Sequence, residues 1–281
     1  MAKANYVAFY GQVMQDPQLK ITAKSEIMQG RIVIEVVRRF VDENKRLEFS
    51  TPVIVTGNPV MATQMTKLKK HDMCYIKGVI TTVNVTRSWI CDCGCSNQPV
   101  GSYTMVTPLF IEKAEELSSM YPTSKERSQL LEAEGIKSLK EHNEISNTVH
   151  VIGTVCNKQP YYEDKKTSVF NFQIAVNRRF RLIDGDPDVR TDYPWVRVYG
   201  DDAKEAASVL DINSTVFIDG SYFTKMVSKK EVCSHCGKET YIKELVSEIH
   251  PYSIEYLHNC KLPDKAYTEN IDYTDFPEDI E

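Results

Sequence analysis

The sequence predicts a mainly all-β fold, built as two five-stranded barrels in tandem. Three observations predict it: an internal repeat at a spacing of about 142 residues, period-2 alternation of apolar side chains, and the same order of strands, helix and hairpin in both copies. The 281 residues suit two domains at roughly 100–200 residues each. With 42% apolar and 26% charged residues the chain can bury real cores, which excludes disorder as a whole. No apolar run approaches the ~18–20 residues of a membrane-spanning helix. The start, MAKANYVAFYGQV, lacks the charged-then-apolar layout of a secretory signal. A soluble, cytoplasmic protein without membrane contact is the expectation.

The elements follow in order. Strand one of each copy is marked by Asn5 to Gly11 (NYVAFYG) aligning with Asn147 to Gly153 (NTVHVIG) at a shift of 142. Strand two is clearest in the second copy, where Phe170, Phe172, Ile174 and Val176 alternate with Asn171, Gln173, Ala175 and Asn177. Its end carries Arg178-Arg179-Phe180, matching Arg38-Arg39-Phe40 at a shift of 140. Strand three follows Pro52 and Pro194; in WVRVY, Val196 and Val198 take one face and Trp195, Arg197 and Tyr199 the other. A short helix comes next, with Met61, Met65 and Leu68 or Ala203, Ala206 or Ala207, and Leu210 at helical spacing. Strands four and five form a long hairpin, aligned by Gly78 with Gly220 and Ile111 with Ile254, its tips near 91–98 and 233–238.

Three strands, a helix and two strands is the order of the OB-fold, a partly open Greek-key barrel that binds oligonucleotides. The expected domains are 1–115 and 146–260, a helical linker over 116–145 bearing Leu130, Leu131 and Leu139, and a flexible acidic tail over 261–281. Six acids and no Lys or Arg fall in the last thirteen residues, so a formal charge of -5 leaves the rest of the chain near neutral. That balance excludes a histone-like polycation and allows a locally basic groove.

In the second copy NTVHVIGTV, FNFQIAVNRRF and WVRVYGDDAKEAASVLDINSTVFIDGSYFT follow one another in that order, and the first copy keeps the frame more weakly in VIVTGNPVMATQMTKLKKHDMCYIKGVITT. On these segments the second copy resembles the bacterial and phage single-stranded DNA-binding protein family. The resemblance implies a protein that coats and protects single-stranded DNA in replication, recombination or repair. It also implies a tail, Asp275-Phe276-Pro277-Glu278-Asp279-Ile280, that docks replication or recombination proteins, although the chain ends in Ile-Glu where the family ends in Pro-Phe. Two barrels per chain fit a monomer or a homodimer, in a bacterial cell and encoded by a chromosome, phage or plasmid.

Single strands are held by bases stacking on aromatic rings and by Arg or Lys along the phosphates. Trp195, Arg197 and Tyr199 offer a ring and a charge on one strand face, with a core role for Trp195 as the alternative. Arg178, Arg179 and Phe180 flank them. The first copy has Val53 and Val55 at the matching positions and is expected to bind less, through Arg38, Arg39, Phe40, Arg87 and Trp89. Trp89 is read equally well as a cross-strand packing residue. Tyr161 and Tyr162 lie in a loop beside the face, as stacking rings or as exposed turn residues.

Five of the eight cysteines sit at the two hairpin tips, which points to metal rather than disulfides. Cys233-Ser-His-Cys236-Gly-Lys has the form of a zinc knuckle, and Cys91-Asp-Cys93-Gly-Cys95 occupies the equivalent tip. Structural zinc takes four N or S ligands. Either one zinc bridges the tips, or each tip completes its own site with His235, His250, His258 or Cys260; reduced, unligated thiols are the alternative to a metal. Cys74 and Cys156 lie on strands and are expected in the core. No phosphate-binding loop, dinucleotide fingerprint or nucleophile elbow is present, so binding without catalysis is expected. A protein-interaction OB-fold without strong nucleic-acid affinity, or a zinc-dependent enzyme, are the alternatives.

Overall fold

The computed structural model describes residues 4–22, 27–39, 47–117, 125–178, 182 and 190–261. The first half comprises β1 (Asn5–Val13), β2 (Gln18–Ile21), β3 (Ile27–Val37), β4 (Phe49–Ser50), β5 (Val53–Thr56), α1 (Pro59–Met65), β6 (Met73–Thr86), β7 (Trp89–Ile90), β8 (Ser96–Asn97) and β9 (Val100–Glu115). After α2 (Lys125–Glu141) and α3 (Asn143–Ser146) come β10 (Asn147–Lys158), β11 (Tyr162–Glu163), β12 (Ser168–Arg178), β13 (Arg190–Asp192), β14 (Trp195–Tyr199), α4 (Gly200–Val209), β15 (Thr215–Val232) and β16 (Glu239–His258). No helix among the described residues is long and apolar enough to cross a membrane.

Each half closes a five-stranded barrel of the same topology. The second runs β10-β12-β14-β16-β15 and back to β10, the first β1-β3-β5-β9-β6 and back to β1, with only the third–fifth strand pairs parallel. These are two OB-folds in tandem, as the order of elements predicts. The alternation predicted for strand two is met along β12, where Phe170, Phe172, Ile174 and Val176 are buried and the residues between them are half-exposed. Ala203 and Ala206 of α4 and Leu210 just past its end are buried in the second barrel. In the first, Met65 of α1 and Leu68 beyond it are buried as predicted, but Met61 is only half-buried and Ala62 takes its place inward. Asn58 caps α1 by accepting from the Val60 amide at 2.9 Å.

The repeated asparagines and glycines have a shared physical reason. Asn5 grips Ile80 on β6 through both backbone groups (2.9 and 2.8 Å), and Asn147 does the same to Tyr222 on β15 (2.9 and 2.8 Å). Gly78 and Gly220 sit at register shifts where strands four and five touch. A Cβ there would lie 2.5 Å from the Thr107 carbonyl oxygen or 2.6 Å from that of His250.

The barrels join edge to edge through an antiparallel β1–β10 ladder in which Val7 pairs with Val149, its own equivalent in the repeat. The predicted linker helix is more than a spacer. Leu131 and Leu139 of α2 pack with Tyr10, Val37, Met73 and Leu117 in a second core cluster, and the Leu131 carbonyl accepts from Gln12 Nε2 at 2.8 Å. Leu130 stays exposed.

Candidate nucleic-acid interface and metal centre

β14 is held between β12 and β16, so one of its faces must fill the barrel and the other must look out. Val196 and Val198 are buried; Trp195 and Arg197 are half-exposed and Tyr199 is 42% exposed. The outward set predicted for Trp195, Arg197 and Tyr199 is therefore on one surface. The neighbouring strands extend it with Asn171 and Gln173 from β12 and Glu248 and His250 from β16, and β15, the strand beyond β16, adds Phe223 and Lys225.

The surface is wired beneath its rings. Arg197 Nε donates to Asn171 Oδ1 at 2.9 Å and lies 3.5 Å from Glu248 Oε1, which also takes Lys225 Nζ at 2.7 Å and His250 Nε2 at 2.9 Å. Burial alone would raise the Glu248 carboxyl; the His250 and Lys225 hydrogen bonds and the Arg197 charge overcome it and hold Glu248 below the usual carboxylate range. Burial holds His250 below the usual histidine value, with Glu248 opposing. His250 stacks on Phe223 (centroids 4.5 Å) and meets the edge of Tyr199 (5.4 Å). Two cations over one buried carboxylate leave a surplus of positive charge among exposed rings, the combination that holds a single strand. Phe223 and Lys225 were not singled out from the sequence, although SYFTKMV alternates and puts them on one face.

The matching surface of the first barrel carries Val53 and Val55, with Met105 half-exposed alongside, and has neither Trp nor Arg on the third strand. Its candidate cations face other work. Arg38 pairs with Glu48 at 3.2 Å, and Arg38 and Arg39 lie over the Tyr252 ring of the second barrel at 5.1 and 4.1 Å. Arg87 covers the Tyr103 ring at 4.6 Å and reaches Glu244 of the other arm at 3.7 Å. Trp89 sits half-buried opposite Asn97 in the β7–β8 pair.

Three expectations are corrected. Arg178 is not a surface cation: it falls on the inward parity of β12, and its guanidinium is paired with Asp192, the two side chains being 6% and 1% exposed. Tyr161 packs against the barrel core, leaving Tyr162 as the exposed ring of that loop. Cys156 is exposed where β10 shifts register, while Cys74 is buried as expected. Phe40, Arg179, Phe180 and the tail residues Asp275 to Ile280 lie outside the described residues.

The hairpin tips bring four thiols together. Cys91, Cys93, Cys233 and Cys236 place their sulfurs within 4.8 Å of one another, a group that can hold a metal ion. Cys95, His235, His250, His258 and Cys260 are outside it; Cys260 points its thiol at the His258 carbonyl at 3.3 Å. Each tip turns tightly behind its second thiol, at Gly94 (φ 86°) and Gly237 (φ 70°), in the left-handed region that favours glycine. Amides of Cys236 and His235 hold the Cys233 thiol down, to about 6.

Comparison with known proteins places the second barrel. Residues 146–249 match the single-strand binding protein family. Among solved structures, the wild-type single-stranded DNA binding protein from Thermus aquaticus matches with a TM-score of 0.57 at 15% identity, over 94% of this chain and 98% of that one. A deletion mutant of the same protein gives 0.56 at 14% identity, over 94% and 100%. No curated protein matches the sequence. At these identities the structural likeness concerns the fold: a two-barrel OB-fold chain resembling single-strand binding proteins over both halves.

Proposed function

We propose that this chain, with its second barrel matching the single-strand binding protein family, binds and coats single-stranded DNA in replication, recombination or repair, without catalysis. The observation that carries the reading is the outward Trp195–Arg197–Tyr199 face of β14, inside the matched barrel, with Phe223 and Lys225 of β15 continuing the same surface beyond β16. Bases stack on the rings at about 1–3 kcal/mol each, and the cations follow the phosphates. The first barrel, with Val53 and Val55 in the equivalent place, contributes less. Arg178 belongs to the scaffold of this interface, and Arg38, Arg39 and Arg87 to the joints between the barrels.

The finer features belong to the same reading. Zinc is the ion we assign to the four thiols, in a structural role, since a closed set of four thiolates leaves no open position for substrate. The same reading assigns 1–115 and 146–260 as the two domains, 116–145 as a helical linker and 261–281 as an acidic tail whose Asp275–Ile280 segment docks partners, in the cytoplasm of a bacterial cell. The test is fluorescence anisotropy of labelled oligo-dT against a duplex of equal length, at low and moderate salt. Tight binding to the single strand alone supports coating. Absence of single-strand binding by the folded chain would overturn it and leave the barrels as a protein-docking scaffold.

A further inference from the structure

The cysteines of the two tips are equivalents in the repeat. A shift of 142 carries Cys91 onto Cys233, and a shift of 143 carries Cys93 onto Cys236 and Gly94 onto Gly237. The same relation holds between the barrels in space. The Thr82 amide donates to Asp192 across the junction at 2.7 Å, and the Thr224 amide donates to Ser50 at 3.1 Å, each partner being 142 residues from its counterpart. At the tips the sulfurs cross between copies in the same manner: Cys91 Sγ is 3.6 Å from Cys236 Sγ, and Cys93 Sγ is 3.8 Å from Cys233 Sγ. Four sulfurs at about 2.3 Å from a central zinc stand about 3.8 Å apart along the edges of the tetrahedron. A disulfide would need about 2.05 Å.

We propose that the two hairpin tips share a single zinc ion, held by Cys91 and Cys93 of the first barrel and Cys233 and Cys236 of the second, so that the ion cross-links the ends of the two arms. Neither tip is a site by itself, because each supplies two of the four thiolates a closed zinc site takes. The residues around the sulfurs also join one tip to the other. Asn97 donates from Nδ2 to Cys233 Sγ at 3.5 Å and accepts from the Ser234 amide at 3.0 Å. Hydrogen bonds of this kind, made to the ligand atoms from behind, orient metal ligands. Lys238 of the second tip is paired with Asp92 of the first, a cation beside a thiolate set whose charge exceeds that of zinc.

The consequence is mechanical. The arms are built from strands of 14, 16, 18 and 20 residues, whose outer parts leave the barrels. The ion fixes the distance between their ends and so ties the spacing of the two barrel surfaces. This builds on the structural-zinc reading and is independent of DNA binding.

The test uses the full chain purified under reducing conditions, with zinc measured by atomic emission and cysteine state by intact mass. One zinc per chain is expected, retained in Cys95→Ser and Cys260→Ser and lost from both Cys91→Ser and Cys236→Ser. A variant that fails to fold would lose zinc for another reason. The native chain is therefore also stripped with a chelator and followed by hydrogen exchange. Amides at both tips should then exchange about tenfold faster or more, while β1 and β10 keep their protection. Two zinc ions per chain, zinc retained after loss of either tip's thiol, loosening of one tip alone, or disulfides between the tips would each overturn the shared site. Free thiols with no zinc would overturn zinc and cross-link together, while the anisotropy titration decides the DNA reading separately.

Discussion

Replacing Asp192 examines the junction beneath the proposed interface. Its carboxylate is buried against Arg178, and it also accepts the Thr82 amide of the other barrel at 2.7 Å. Removing one partner of a buried ion pair leaves the other charge uncompensated, at a cost of about 3–5 kcal/mol. Asp192→Asn keeps an acceptor for Thr82 and should lose about 3 kcal/mol. Asp192→Ala also strands that amide and should lose about 1 kcal/mol more. At roughly 2–4 °C per kcal/mol, the melting temperature should fall by about 10 °C. The pair Arg178→Met with Asp192→Val removes both charges and should recover all but about 1–2 kcal/mol, because a buried pair replaced by apolar groups is often near neutral. Urea unfolding of the three variants and the native chain is the assay. Single-variant losses below about 1 kcal/mol, or a double variant as unstable as Asp192→Ala, would refute the structural assignment. Loss of oligo-dT binding by a well-folded double variant would return Arg178 to the interface.

Other outcomes are expected on the same reasoning. Gly220→Ala and Gly78→Ala drive a Cβ to 2.6 and 2.5 Å from a backbone oxygen that no rotamer change can move, so each should destabilise by about 1–3 kcal/mol in urea melts; unchanged midpoints would refute the close approach. His250, held below its ordinary value by burial, takes up a proton more readily when unfolded. Its stabilising contribution is complete above about pH 6.5 and is lost as pH falls through its lowered folded value. His71, lowered by burial too, adds to the same acid loss, and Glu248 adds a further loss below the ordinary carboxylate range. His250→Gln should therefore flatten, without abolishing, the fall in urea midpoint between pH 6.5 and 5; an unchanged slope would place the titration elsewhere.

Much of the fold is legible in the sequence because the repeat preserves physical necessities. Asn5 and Asn147 brace the same backbone position, and Gly78 and Gly220 permit the same strand contact. Period-2 alternation places Trp195, Arg197 and Tyr199 outward without knowledge of any partner. Applied to β12 it would also have placed Arg178 inward, beside Val176 and Ile174. What alternation cannot show is which distant group meets a side chain once it points somewhere. Arg39 ends over Tyr252, Arg87 beside Glu244 and Cys91 beside Cys236, contacts that depend on how two barrels meet. The spacing of the cysteines left two arrangements open for the same reason, and only the joined arms bring four of the five tip thiols together.

Binding of a single strand on the β14 face is tested most directly by titrating labelled oligo-dT with the native chain, Trp195→Ala and Trp89→Ala at one salt concentration. Stacking worth about 1–3 kcal/mol predicts a loss of about 5- to 150-fold for Trp195→Ala. Trp89, a cross-strand residue of the hairpin tip, should change affinity little when replaced. Equal losses from the two variants, or an unaltered affinity in folded Trp195→Ala, would contradict the account.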